Sequence, residues 1–323
     1  MTGRDLRIVF MGTPEFAVAS LRLLVECGYQ VVGVITAPDK PAGRGMKMQE
    51  SAVKRYALEK GLTVLQPEKL KNPEFIRELR ALKADLQVVV AFRMLPEMVW
   101  TMPRFGTFNL HGSLLPQYRG AAPLNWAVIN GEKETGVTTF LLDHEIDTGR
   151  ILFKEKITIG DQDTVGGIHD RLMEIGAKLV LRTIDALAEG NYTAVSQDQV
   201  STEPLKHAPK LFKEDCHIDW SWPGEKIRNL IRGLSPYPGA WTAVTGENGQ
   251  SSSLKIFFAE FKPESGLVPG TVFTDGRTIL KIAAADGWLE LTDLQLSGKK
   301  RMNTDELLRG FHGNFELRVV RHE

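Results

Sequence analysis

Apolar positions in the first half of the chain follow two alternating rhythms. Short unbroken runs have the length and β-branched content of strands buried on both faces: Arg7-Ile-Val-Phe-Met11, Val31-Val-Gly-Val-Ile-Thr36 and Asp85-Leu-Gln-Val-Val-Val-Ala91. Between them, apolar residues three and four apart predict helices. The first carries Phe16, Val18, Ala19, Leu21, Leu23 and Leu24; others cover Glu50 to Lys60 and Pro73 to Leu82. Thr13 suits an N-cap and Pro14 a first helical position. Leu62 to Leu65 adds a short strand. Strand–helix alternation of this kind predicts a Rossmann-like α/β domain around a mainly parallel sheet.

The rhythm changes at Gly106-Thr-Phe-Asn-Leu-His111, a strand of alternating character. Residues two apart on a strand share a face, so Asn109 and His111 point together, away from Phe108 and Leu110. Gly112 to Pro116 breaks the strand, and Ala121 to Asn130 is a short helix. A second strand, Gly136 to Leu142, runs into the acidic loop Asp143-His-Glu-Ile-Asp147-Thr-Gly149. Ligands of open α/β sheets collect beyond the carboxyl ends of strands. The loops after Ala91, His111 and Leu142 are therefore expected to line one crevice. Arg150 to Ile159 reads as a half-exposed strand. Asp163-Thr164 caps a long helix that Gly190 ends.

From Asn191 to Ala208 the pattern fades into a polar linker. One helix follows, Pro223 to Leu234, then five short strands: Trp241 to Thr245, Leu254 to Phe261, Gly270 to Thr274, Ile279 to Ala283 and Trp288 to Leu294. That spacing predicts a small OB-like β-barrel. Asn303 can cap a last helix to Leu308. The domains expected are 1–190, a linker 191–208, and 209–323.

Composition narrows the function classes. Apolar residues are 42%, charged residues 25%, and formal net charge is zero, so no global basic field captures nucleic acid. Any polyanion must be met by local patches. Pro38 to Lys47 is one such stretch, a loop by composition, carrying Lys40, Arg44 and Lys47. Read alone it is a solvated surface loop; read functionally it is a basic finger for a phosphate backbone. Cys27 and Cys216 are far apart with no CxxC, and no two histidines have metal-ligand spacing, so no metal is expected. Only Gly12 of a G-x-G-x-x-G pattern is present, so NAD is not expected. No signal-like or membrane-spanning run occurs, and a cytoplasmic monomer is the expectation.

Asn109, His111 and Asp147 form the reactive set. Imidazole moves protons near neutrality, a carboxamide donates to an oxyanion, and a carboxylate orients the ring. A G-x-S-x-G elbow is absent. The set suits acyl-type transfer between two bound substrates through a tetrahedral intermediate, without a covalent enzyme adduct. Singly, each residue has a structural reading: a satisfied strand histidine, a turn asparagine, a turn-capping aspartate.

Asn109-Leu-His111-Gly-Ser-Leu-Leu-Pro116 with Asp147-Thr-Gly149 resembles the signature of the folate-dependent formyltransferase family. Phe10-Met-Gly-Thr-Pro-Glu-Phe-Ala17, Pro38 to Gly45 and Gln117-Tyr-Arg-Gly-Ala-Ala-Pro123 extend the resemblance over nearly the whole chain. It points to the branch that acts on charged initiator tRNA. The resemblance implies formyl transfer from 10-formyltetrahydrofolate, as cosubstrate, to the α-amine of methionyl initiator tRNA. It implies catalysis by Asn109, His111 and Asp147. Folate would meet Ser113, Leu114, Leu115, Pro116, Phe92, Met94 and Leu95; tRNA would meet Lys40, Arg44, Lys47 and Lys210. One departure stands out. The family's Ala-Tyr-Gly, three apolar residues and Pro is here Ala91-Phe-Arg-Met-Leu-Pro96, one residue shorter and lacking the glycine. Two competing readings are a non-catalytic tRNA- or folate-binding module and a transferase acting on a sugar-nucleotide amine, for which a basic finger has no use.

Overall fold

The computed structural model of the chain describes residues 1–42, 47–200, 203–245, 251–310 and 316–317. It forms two compact units. The first comprises Met1–Gly120, Thr135–Ile157 and His169–His207; the second comprises Ala121–Glu134, Thr158–Ile168 and Ala208–Glu323.

In chain order the elements are β1 (Arg7–Gly12), α1 (Glu15–Glu26), β2 (Gln30–Ile35), β3 (Lys40–Ala42), β4 (Lys47–Gln49), α2 (Ala52–Glu59), β5 (Val64–Leu65), α3 (Pro73–Ala81), β6 (Leu86–Val90) and α4 (Glu97–Trp100). Then come β7 (Thr107–His111), β8 (Arg119–Gly120), α5 (Pro123–Ile129), β9 (Glu134–Leu141), β10 (Ile151–Thr158) and α6 (Val165–Glu189). Local chemistry sets several boundaries. Asn72 Oδ1 accepts from Glu74 N at 2.9 Å, with Pro73 opening α3, and Ser51 Oγ accepts from Lys54 N at 3.0 Å to start α2. At α1 the N-cap is Pro14 rather than Thr13, one residue later than the sequence suggests.

The large sheet has the order β10-β9-β7-β6-β1-β2-β5. Strands β5, β2, β1, β6 and β7 pair in parallel, and β9 pairs antiparallel to β7, with Asn109 opposite Phe140 and His111 opposite Thr138. Every residue of β6 is buried, as its unbroken apolar run requires. The reversal at β9 corrects one expectation. Leu142 N donates to Thr107 O at 2.8 Å, so β9 ends beside the start of β7. The loop after Leu142 therefore does not leave the sheet where the loop after His111 does.

The Pro38 to Lys47 stretch is not all loop. β3 and β4 form an antiparallel hairpin with Lys40 opposite Gln49 and Ala42 opposite Lys47. Its base is tied by Asp39, which accepts from Lys54 Nζ at 2.5 Å and Gln66 Nε2 at 2.8 Å. Residues 43–46, Arg44 among them, lie outside the described residues.

The chain continues with β11 (His207–Ala208), α7 (Gly224–Gly233), β12 (Ala240–Thr245), β13 (Ser251–Pro263), β14 (Val272–Thr274), β15 (Leu280–Ala283), β16 (Gly287–Leu296), β17 (Met302–Asn303), α8 (Thr304–Arg309) and β18 (Glu316–Leu317). In the second unit the order is β14-β15-β16-β13-β12-β18, antiparallel where β14, β15, β16, β13, β12 and β18 meet. Irregular register around Phe258 on β13 bends the sheet. The curled sheet is a half-barrel: among the described residues its ladder runs from β14 to β18 without closing. Leu254, Ile256, Leu280, Ile282, Leu289 and Leu291 fill its core with Ile227, Leu230 and Ile231 of α7. Helix α5 lies close to α7, where a Cβ on Gly233 would sit 2.6 Å from Ile129 Cγ1. Among the described residues no helix is long and apolar enough to cross a membrane.

Candidate active site

Strand β7 sorts its side chains by alternation. Phe108 and Leu110 are buried on one face, Leu110 so tightly that a Cβ on Gly176 of α6 would lie 2.8 Å from it. Asn109 and His111 occupy the other face. The Asn109 side chain is half-buried and has no hydrogen-bond partner among the described residues. His111 is 6% exposed. Its Nε2 lies 2.9 Å from the carbonyl oxygen of Tyr118. A carbonyl only accepts, so Nε2 carries the proton in either charge state. In the neutral ring the lone pair is then on Nδ1, which faces Asp147 Oδ2 at 3.8 Å.

Asp147 reaches this position although its strand runs the wrong way. Residues 142–149 arch back across the face that carries Asn109, Phe140 and His111. Gly149 makes the arch possible, since a Cβ there would fall 1.7 Å from Leu141 O and 3.2 Å from Phe140 Cδ2. Asp147 itself adopts φ +56, a left-handed conformation that disfavours side chains. Its Oδ2 accepts from Gly120 N at 3.0 Å. Gln197 Nε2 donates to the carbonyls of both Asp147 and Gly149, each at 2.8 Å. The arch also meets α4: His144 lies edge-on to Trp100 at 5.4 Å, and its Nδ1 is 3.9 Å from Glu97.

The turn Ser113 to Pro116 is held from below. Ser113 Oγ donates to Gln117 O at 2.6 Å, Thr138 Oγ1 donates to Ser113 O at 2.6 Å, and Leu115 N donates to Thr138 Oγ1 at 3.2 Å. Lys154 Nζ donates to Leu115 O. Burial lowers the pKa of that ammonium. Ser113, Leu115 and Pro116 are buried and Leu114 is half-buried. In the shortened turn Phe92 is half-buried, Leu95 is buried, and Met94 is 65% exposed. The turn starts at Ala91 with φ +47, a left-handed conformation that disfavours side chains. Arg93 fixes it by donating to the Glu68 carbonyl at 2.8 Å and to that of Pro67.

The residues expected to meet tRNA are distributed over both units. Lys40 is exposed on β3, and the backbone of Lys47 opens β4. In the second unit, Lys210 Nζ lies 5.4 Å over the exposed ring of Phe212, and Lys213 Nζ lies 5.2 Å over Trp241. The aromatic partners escape a search for basic residues alone. Arg301, a further basic candidate, is engaged with Asp293, its Nε 2.8 Å from Oδ1.

The geometry brings His111 and Asp147 together on the face of β7 that also carries the Asn109 amide. Family models cover most of the chain. The model described as formyl transferase matches residues 6–184, and that of the formyl transferase C-terminal domain matches 210–312. The chain belongs to the formyl transferase family. Its curated relatives carry a more particular name. Methionyl-tRNA formyltransferase of Bacteroides fragilis is 58% identical, covering 97% of each chain, and that of Flavobacterium johnsoniae is 51% identical, covering 97% of this chain and 99% of its own. Among solved structures, an N-formyltransferase from Helicobacter canadensis, in complex with folinic acid and dTDP-3-aminofucose, aligns with TM-score 0.63 at 20% identity over 92% of this chain and all of its own. HypX from Aquifex aeolicus, in complex with tetrahydrofolic acid, aligns with TM-score 0.62 at 19% identity, over 97% of this chain and 48% of that one. At these identities the solved structures show the fold.

Proposed function

We propose that the chain transfers a formyl group from 10-formyltetrahydrofolate to the α-amino group of methionyl initiator tRNA, the activity for which its curated relatives are named. The observation that carries the mechanism is the Asn109 carboxamide, without a partner among the described residues, on the strand face that His111 shares and Asp147 meets. The amine attacks the formyl carbon, and a tetrahedral intermediate forms with charge on its oxygen. Asn109 donates an N–H to that oxygen. His111 takes the proton of the incoming nitrogen on Nδ1, because Nε2–H is committed to Tyr118. Asp147 then faces the resulting imidazolium across 3.8 Å. Nδ1 then returns that proton to folate N10 as the bond between N10 and the formyl carbon breaks, and no bond to the enzyme forms.

The residues present fit a folate. Met94, Met98 and Ile146 are 65, 49 and 60% exposed, offering apolar surface on the shortened turn, α4 and the arch. Phe92 adds a half-buried ring. Ser113, Leu115, Pro116 and Leu95 shape the turns from beneath, and Leu114 is left to contact ligand from its half-exposed side. Lys40, Arg44 and Lys47 of the Pro38 to Lys47 stretch, and Lys210 with Phe212, meet the acceptor through phosphate contacts and stacking. The enzyme works as a cytoplasmic monomer. Formylation assayed side by side on charged initiator tRNA and on a nucleotide-linked amino sugar tests this reading: transfer to the tRNA alone is expected, and transfer to the sugar alone overturns it.

A further inference from the structure

Gln197 lies in a polar stretch that carries no periodic signal, yet it is 2% exposed. Its carboxamide is fully used. Nε2 donates to Asp147 O and Gly149 O, and Oε1 accepts from Arg119 Nε at 3.0 Å and Nη2 at 2.7 Å. A glutamine has two N–H groups and two lone pairs, and all four are met. The residues on either side of Arg119 grip the same site: Tyr118 O accepts from His111, and Gly120 N donates to the Asp147 carboxylate. Three consecutive residues thus hold the imidazole, the carboxylate and the glutamine that holds the arch. Asp147 sits at φ +56, a conformation that a side-chain-bearing residue keeps only when its surroundings impose it. The carbonyl of Asp147 itself and that of Gly149, two residues on, are bound by the one amide.

We propose that Gln197 is a positioning residue for formyl transfer: its amide, oriented by Arg119, clamps the Asp147–Gly149 arch and so sets the distance between the Asp147 carboxylate and His111 Nδ1. The inference rests on the catalytic reading of Asn109, His111 and Asp147 given above. At 2% exposure Gln197 offers no surface to either substrate. Its loss should leave both binding surfaces in place and let the carboxylate drift.

Two substitutions separate positioning from mere support. Gln197→Met keeps the shape and removes every hydrogen bond. Gln197→Glu keeps an acceptor for Arg119, with an added ion pair, but turns an acceptor toward the two carbonyls. If the donated bonds matter, both lower kcat roughly 10- to 100-fold, the cost of a displacement near 1 Å, with KM for tRNA unchanged. Neither should lower kcat further when combined with Asp147→Asn, because the effect passes through that carboxylate. Wild-type kcat in Gln197→Met overturns the proposal. So does recovery in Gln197→Glu, which would mean that holding Arg119 is all the residue does, or a fully additive loss in the Asp147→Asn background. A wild-type protein inactive on charged initiator tRNA would instead overturn the proposed function; an active wild type with an equally active Gln197→Met overturns only this inference.

Discussion

Replacing Asn109 by alanine isolates one donor. The carboxamide is half-buried and bonded to nothing in the described structure, so its removal orphans no partner. Stability should change by about 1 kcal/mol at most, a few degrees in melting temperature for a unit of this size. The chemistry should respond far more. An oxyanion donor contributes about 3–4 kcal/mol to the barrier, and each 1.36 kcal/mol is tenfold, so kcat should fall by roughly two to three decades. Asn109→Asp places an acceptor where charge develops and should be at least as slow. The assay is single-turnover formylation of charged initiator tRNA, with a melting curve on the same preparation. Turnover near wild type in Asn109→Ala would show that the oxygen is stabilised elsewhere. An equally large loss of stability would show that the amide holds the fold instead.

Gly149→Ala should cut kcat by about 10²-fold, since the new Cβ meets Leu141 O at 1.7 Å and the arch must shift; unchanged kinetics would mean the arch position is irrelevant. Thr138→Val strands Ser113 O and Leu115 N, and denaturant unfolding should register a loss of about 2–4 kcal/mol with an unchanged m-value. The Lys54 contact, and then that of Gln66, hold the Asp39 carboxyl below the usual carboxylate range. The stabilisation it provides is present above its unfolded pKa and is lost as pH falls through the lower folded value. The protection factors against hydrogen exchange at Lys40 and Ala42 should therefore fall in acid, and Asp39→Asn should abolish that response. With phosphate contacts from Lys40, Arg44, Lys47 and Lys210, tRNA affinity should fall with salt at a log–log slope of about −3, and Lys210→Ala should flatten it by about 1; a flat wild-type response would remove electrostatics from recognition.

Local pattern made much of this legible. The alternation of β7 by itself places Asn109 and His111 on one face, because strand geometry allows nothing else. The buried run of β6 is equally local. Partners brought from a distance were not legible. Gln197 reaches the arch from 50 positions along the chain, and nothing in its neighbours marks it. The carbonyl of Tyr118, turned by φ +61, decides which imidazole nitrogen is the base, a fact no side-chain motif encodes. The direction of β9 also escaped, since an isolated apolar strand reads alike in either orientation.

The bridge formed by residues 142–149 has its footing in a handful of polar contacts, whereas the strands beneath it interlock through hydrocarbon. Segments secured so lightly open at lower free-energy cost than the core they span. Warming should thus silence turnover several degrees before the sheet itself gives way, leaving a folded but idle protein that revives on cooling.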